Sequence, residues 1–184
     1  RQFRNDILVS DISEIPAPEG DEPVALAVAE PTGNAPHTLE EILAMDDRIS
    51  REAWENGEQI GGTGRRSSEF FLHEAIYRAR PDVRAVVHSH SPYLTAYALR
   101  YEDLVVPETA SIRGFFPRMV CLPFGQPGTH EIHRGIENAL AQCPVCLLGG
   151  HGAVSVSATL EDAAALLCAA ENTAKALWVA MMMG

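Results

Sequence analysis

Apolar positions along the chain change character near residue 66. Before that point they come in short, irregular runs among Pro, Gly, Asp and Glu; after it, helical and strand periods alternate. In the first stretch Ile7-Leu8-Val9-Ser10 predicts a strand, and Val24-Ala25-Leu26-Ala27-Val28 is a second apolar run. The segment Pro16-Ala17-Pro18-Glu19-Gly20-Asp21-Glu22-Pro23 between them reads as a surface loop. Thr38-Leu39-Glu40-Glu41 is a capping-box pattern that predicts a short helix, and Gly61-Gly62-Thr63-Gly64 reads as a flexible loop.

The second stretch predicts a helix over 67–80, capped by Ser67 or Ser68 and stopped by Pro81, with Phe71, Leu72, Ala75, Ile76 and Ala79 as its apolar stripe. A strand over 83–88 follows, then a helix over 93–99 with Pro92 near its first turn. Runs at 104–106 and 118–122 read as strands, 129–141 as a helix capped by Thr129, and 145–148 as a buried strand ending in Gly149-Gly150. Val154-Ser155-Val156-Ser157 predicts another strand. Thr159-Leu160-Glu161-Asp162 opens a last helix whose apolar positions, Leu160, Ala163, Leu167, Ala170, Ala174, Leu177 and Met181, are spaced close to a heptad. Strands alternating with helices predict a layered α/β domain.

Length and charge narrow the class. The 184 residues fit one domain, and the first is Arg1 rather than Met, so we expect the N-terminal part of a single domain over 1–184 to be incomplete. A formal net charge of −11 disfavours a nucleic-acid or anionic-membrane partner, both of which need a basic face. Four cysteines are too few for a disulfide scaffold, and no apolar run reaches membrane-spanning length. The expectation is a cytoplasmic protein.

Three histidines carry the chemistry. In Val86-Val87-His88-Ser89-His90, residues two apart on a strand point to the same side, so His88 and His90 project in parallel from a strand end. His151, in Leu148-Gly149-Gly150-His151-Gly152, also follows a hydrophobic strand, between glycines that let the backbone pass close to a bound ion. Three His with an open position is the pattern of a catalytic zinc. Spacing alone divides evenly between ligands and ordinary strand-end residues. Glu69 sits at a helix start, where free N–H groups, Ser67 and Ser68, and the charge of Arg65-Arg66 favour an anion. By itself that segment reads as a Ser-capped helix with a Glu complementing its dipole. Cys143-Pro144-Val145-Cys146 reads as structural, His130 and His133 as surface residues, and His37 and His73 show no partner in the sequence.

Taken in order, Ser67-Ser68-Glu69, His88-Ser89-His90 and His151-Gly152 resemble the class II aldolase/adducin family. The likeness runs from about Thr38 to the C-terminus. It includes 74–83, which leads into the His pair, and the helix start after the third His. The resemblance implies a three-layer α/β/α domain with a mixed, largely antiparallel sheet. It implies His88, His90 and His151 as ligands of a divalent metal, Zn²⁺ first and Mn²⁺ or Fe²⁺ otherwise. It implies Glu69 as the catalytic acid/base, Ser67 and Ser68 as donors to the anionic end of a small substrate, and a homotetramer. Arg66 is the basic residue expected beside that anion. The family's Gly-Asn-x-Ser and Thr-x-Ser-Gly phosphate segments are not evident, and Arg65-Arg66 stands where a Pro is common. The expected reaction is retro-aldol cleavage of a hydroxy-carbonyl, sugar-like substrate through a metal-stabilised enediolate. The alternatives are a metal-dependent decarboxylase of a keto or hydroxy-aromatic acid, a non-haem iron oxygenase, and a non-catalytic adducin-like interaction domain.

Overall fold

The computed structural model describes residues 7–11, 25–27, 52–55, 58–61, 69–107 and 116–183. The capping box at 38–41 and the segment 62–68, with Arg66, Ser67 and Ser68, lie outside the described residues, as does 108–115.

In chain order the strands are β1 (Ile7–Asp11), β2 (Ala25–Ala27), β3 (Glu52–Glu55), β4 (Glu58–Gly61), β5 (Ala85–Ser89), β6 (Leu104–Val105), β7 (Arg118–Met119), β8 (Cys121–Leu122), β9 (Val145–Leu148) and β10 (Gly152–Ser157). The helices are α1 (Phe70–Ala79), α2 (Pro92–Ala98), α3 (Ile136–Gln142) and α4 (Leu160–Met182). The central sheet has the order β1-β5-β10-β9-β8. Its pairings are antiparallel except for the last, β8 with β9. Helices cover both faces, so the domain is α/β, as the pattern predicted, with the mixed, largely antiparallel sheet that the resemblance implied.

The alternation of β5 shows how the layers form. Ala85 and Val87 belong to one buried cluster with Leu94, Ala98, Leu147, Ala153, Leu167 and Ala170, which is the side of α2 and α4. Val86 faces the other way, into a cluster with Leu72, Ile76, Tyr77, Ile136, Leu140, Leu148 and Val154, the side of α1 and α3. His88 follows Val86 at a spacing of two and therefore projects on the α1 side. All five residues of β5 are buried, which explains why Ala85, Val86 and Val87 are apolar in succession rather than alternating with polar residues.

Three elements depart most from the sequence expectation. The helix predicted over 129–141 is broken in two. Thr129 accepts from Glu131 N–H and starts a 3-10 turn, His130–His133; Gly135 at φ 89° then restarts the chain as α3. The predicted strand 118–122 splits into β7 and β8, because Asp103 takes both the Arg118 guanidinium and the Cys121 N–H and separates the two pairings. Helix α1 has Glu69, not a serine, in its N-cap position, with no side-chain cap bond. The last helix follows its prediction closely: the Thr159 side chain accepts from Asp162 N–H, and Leu160, Ala163, Leu167, Ala170 and Ala174 are buried.

Candidate metal centre

Two strand ends deliver the three histidines. Strand β5 runs antiparallel to β10, with Val154 opposite His88 and Ala153 opposite Ser89. The register places the end of β5 beside the turn that precedes β10, so His88, His90 and His151 converge although 61 residues separate the second from the third. Their ring centroids lie 5.0, 4.9 and 4.7 Å apart, and one ring nitrogen from each falls within 4.8 Å of the others. Gly152 permits this approach. A Cβ there would collide with the Ser89 carbonyl oxygen and stand 2.9 Å from Cδ2 of His90.

The chemistry of the donors fits a cation. His88 is fully buried, and its Nδ1–H donates to the Ala153 carbonyl at 2.9 Å. That bond fixes the tautomer, because a carbonyl only accepts, and leaves the Nε2 lone pair free to ligate. Nε2 of His88 lies 3.2 Å from Nε2 of His90. Nδ1 of His151 is buried without a hydrogen-bond partner among the described residues. Burial first, and then the neighbouring imidazoles, hold His88 well below the ordinary histidine pKa, and burial lowers His151 to about 4. His88 and His151 are thus presented as neutral bases, the form a metal ligand needs. A divalent ion at their centre would satisfy nitrogens that the fold otherwise leaves desolvated.

Glu69 and His73 lie one turn apart on the face of α1 that packs on the sheet. Glu69 is 5% exposed and His73 3%. The Glu69 carbonyl accepts from the N–H groups of Leu72 and His73. Burial lowers the His73 pKa to about 4, and His73 is in turn among the groups acting electrostatically on His88. His73, four residues after Glu69, thus lies within electrostatic reach of His88. His73, with no partner visible in the sequence, is the residue that sequence reasoning missed. The signal was available: it lies four residues after Glu69, on the same helical face. Cys143 and Cys146 are buried free thiols whose pKa values burial raises, in keeping with a structural role.

The family model described as Class II Aldolase and Adducin N-terminal domain matches residues 30–178, and the chain belongs to that family. A 3-oxo-tetronate 4-phosphate decarboxylase of Pectobacterium atrosepticum is 31% identical over 156 residues, 83% of this chain and 68% of that protein. An L-fuculose phosphate aldolase of Escherichia coli O6:H1 is 32% identical over 97 residues, 53% of this chain and 45% of that protein. A solved L-fuculose 1-phosphate aldolase superposes with a TM-score of 0.71 at 20% identity, covering 98% of this chain and 77% of that one, which establishes the shared fold. With decarboxylases and aldolases as its relatives, this family member is an enzyme of the lyase type. Among the described residues no helix is long and apolar enough to cross a membrane.

Proposed function

We propose that the protein is a divalent-metal carbon–carbon lyase acting on a short hydroxy- or oxo-substituted substrate, with His88, His90 and His151 as the metal ligands and Glu69 as the acid/base. The observation that carries this reading is the convergence of three imidazoles, with one ring nitrogen from each within 4.8 Å of the others, and a buried Glu69 at the start of α1. A bound ion supplies Lewis-acid polarisation of a substrate carbonyl. The protein's own groups do the rest. The Nδ1–H bond to Ala153 holds the His88 ring in one orientation. The buried surroundings exclude water from the proton transfer, and Glu69 takes or returns the proton at its carboxylate. Arg66, Ser67 and Ser68 are proposed to bind the anionic end of the substrate, at the start of α1 where N–H groups and dipole favour negative charge.

Aldol cleavage and decarboxylation differ only in the fragment that leaves. The aldolase reading comes from the resemblance of the motifs. Decarboxylation of an oxo acid has its own support, since the decarboxylase relative aligns over 83% of this chain and the aldolase relative over 53%. The experiment is product analysis on a 3-oxo acid phosphate and on a ketose 1-phosphate, with wild type and Glu69→Gln in parallel. Release of carbon dioxide from the first or an aldehyde from the second selects the reaction. Glu69→Gln should retain bound metal and lose roughly 10²–10⁴-fold in turnover. Turnover of neither substrate class, or an unimpaired Glu69→Gln enzyme, contradicts the reading.

The proposal extends to a cytoplasmic homo-oligomer, a tetramer in the first instance, built from one domain. Its support is the apolar end of α4, where Trp178, Val179, Met181 and Met182 are exposed, together with four free cysteines suited to a reducing compartment.

A further inference from the structure

Where the chain leaves α2 it passes through Tyr101 at φ 58°, the one non-glycine residue with positive φ among the described residues. A bulky L side chain is strained there, and Gly or Asn is the usual occupant of a left-handed position after a helix. The strained backbone aims the tyrosine ring at the turn that carries His151. A Cβ on Gly149 would stand 2.9 Å from Cδ1 and 3.1 Å from Cε1 of Tyr101, and one on Gly150 would run into its hydroxyl. The ring therefore lies directly over the backbone of both glycines.

The same helix end grips this turn through the main chain. The Ala98 carbonyl accepts from Gly150 N–H at 3.0 Å and from Tyr101 N–H at 3.2 Å, while Gly149 N–H donates to the Leu122 carbonyl at 3.0 Å. Gly150 itself has φ 69°. Two glycines in succession leave a turn with little intrinsic preference and no side chains of its own to hold it. Besides the Leu122 carbonyl of β8, the restraint comes from the end of α2, the helix that begins just after His90.

We propose that Tyr101 is a positioning residue for His151: its ring clamps the Gly149-Gly150 turn so that the third imidazole is presented to the other two. The inference rests on the reading of the triad as a metal site. It predicts that removing the ring weakens metal binding even where the fold gains from relief of the left-handed strain.

The test is a Zn²⁺ titration of the full chain against a chromophoric chelator, beside thermal unfolding of the metal-free protein, for wild type, Tyr101→Gly, Tyr101→Asn and Tyr101→Phe. Gly and Asn accept the left-handed conformation without a ring; Phe keeps the ring. We expect Zn²⁺ affinity to fall about 10- to 100-fold in the Gly and Asn variants, with an unchanged or higher melting temperature. Tyr101→Phe should bind as wild type does. Wild-type affinity in the folded Gly and Asn variants would overturn the inference, as would losses that follow a loss of stability. A wild-type chain that binds no Zn²⁺ would instead overturn the metal-site reading on which it rests.

Discussion

Each of the buried imidazoles near the site is held as the neutral base, and this ties stability to pH. For His73 and His151, both lowered by burial to about 4, the folded protein binds fewer protons than the unfolded chain anywhere between that value and the ordinary 6.5. Their contribution to stability is therefore complete above about pH 6.5 and is lost as pH falls toward about 4. For a group as enclosed as His73 the loss is on the order of 2–3 kcal/mol by pH 4.5. Urea unfolding of metal-free protein should show a flat stability above pH 7 and a decline below 6.5, with a shallower decline in His73→Gln. Equal slopes for wild type and His73→Gln would contradict this account of His73. The same residues explain what the sequence hid. His88, His90 and His151 announced themselves by spacing and flanking glycines; His73 is marked only by its spacing of four from Glu69, and Tyr101 acts through three-dimensional neighbours that no local pattern reveals.

Among the elements, α4 organises the site without touching it. The Glu171 carboxylate reaches from its middle to α2 and accepts from the N–H groups of Tyr93 and Leu94, both at 2.9 Å. Those are orphan donors of a helix that starts at Pro92, two residues after His90, and burial keeps the Glu171 carboxyl pKa raised despite them. Ser155 makes a second tie, donating to the Ala163 carbonyl at 2.8 Å and so joining β10 to α4. Glu171→Ala should cost on the order of 2 kcal/mol, since it strands two N–H groups, and Glu171→Gln less, since its amide oxygen still accepts. Urea midpoints of the two variants give the comparison, and an Ala variant as stable as wild type would rule out the cap. None of this was legible beforehand. The helix limits near 92–98 and 160–182 followed from Pro92 and the Thr159 cap, but a tie across 77 or 78 residues leaves no mark in a local pattern. The break at Gly135 was missed for a related reason: a 3-10 turn and an α-helix share their first capping signal and apolar spacing.

Over the whole molecule, the fold class was readable because β5, β9 and β10 are apolar strands between amphipathic helices, and a sheet covered on both faces must contain such strands. Two short strands were not. Strands β3 and β4, Glu52–Glu55 and Glu58–Gly61, carry Glu, Gln and Gly where β-formers would be expected. The site was legible where its chemistry is local, in His-x-His and Gly-His-Gly, and became a site only when the antiparallel pairing of β5 with β10 joined the two motifs. The central claim, that these three histidines hold a divalent ion, meets its most direct test in elemental analysis of protein purified without added metal, beside an identical His88→Ala preparation of confirmed fold. The account predicts about one zinc, manganese or iron per chain in the wild type and none in the variant. Metal content unchanged by His88→Ala, or a wild type that takes up none of the three on reconstitution, would contradict it.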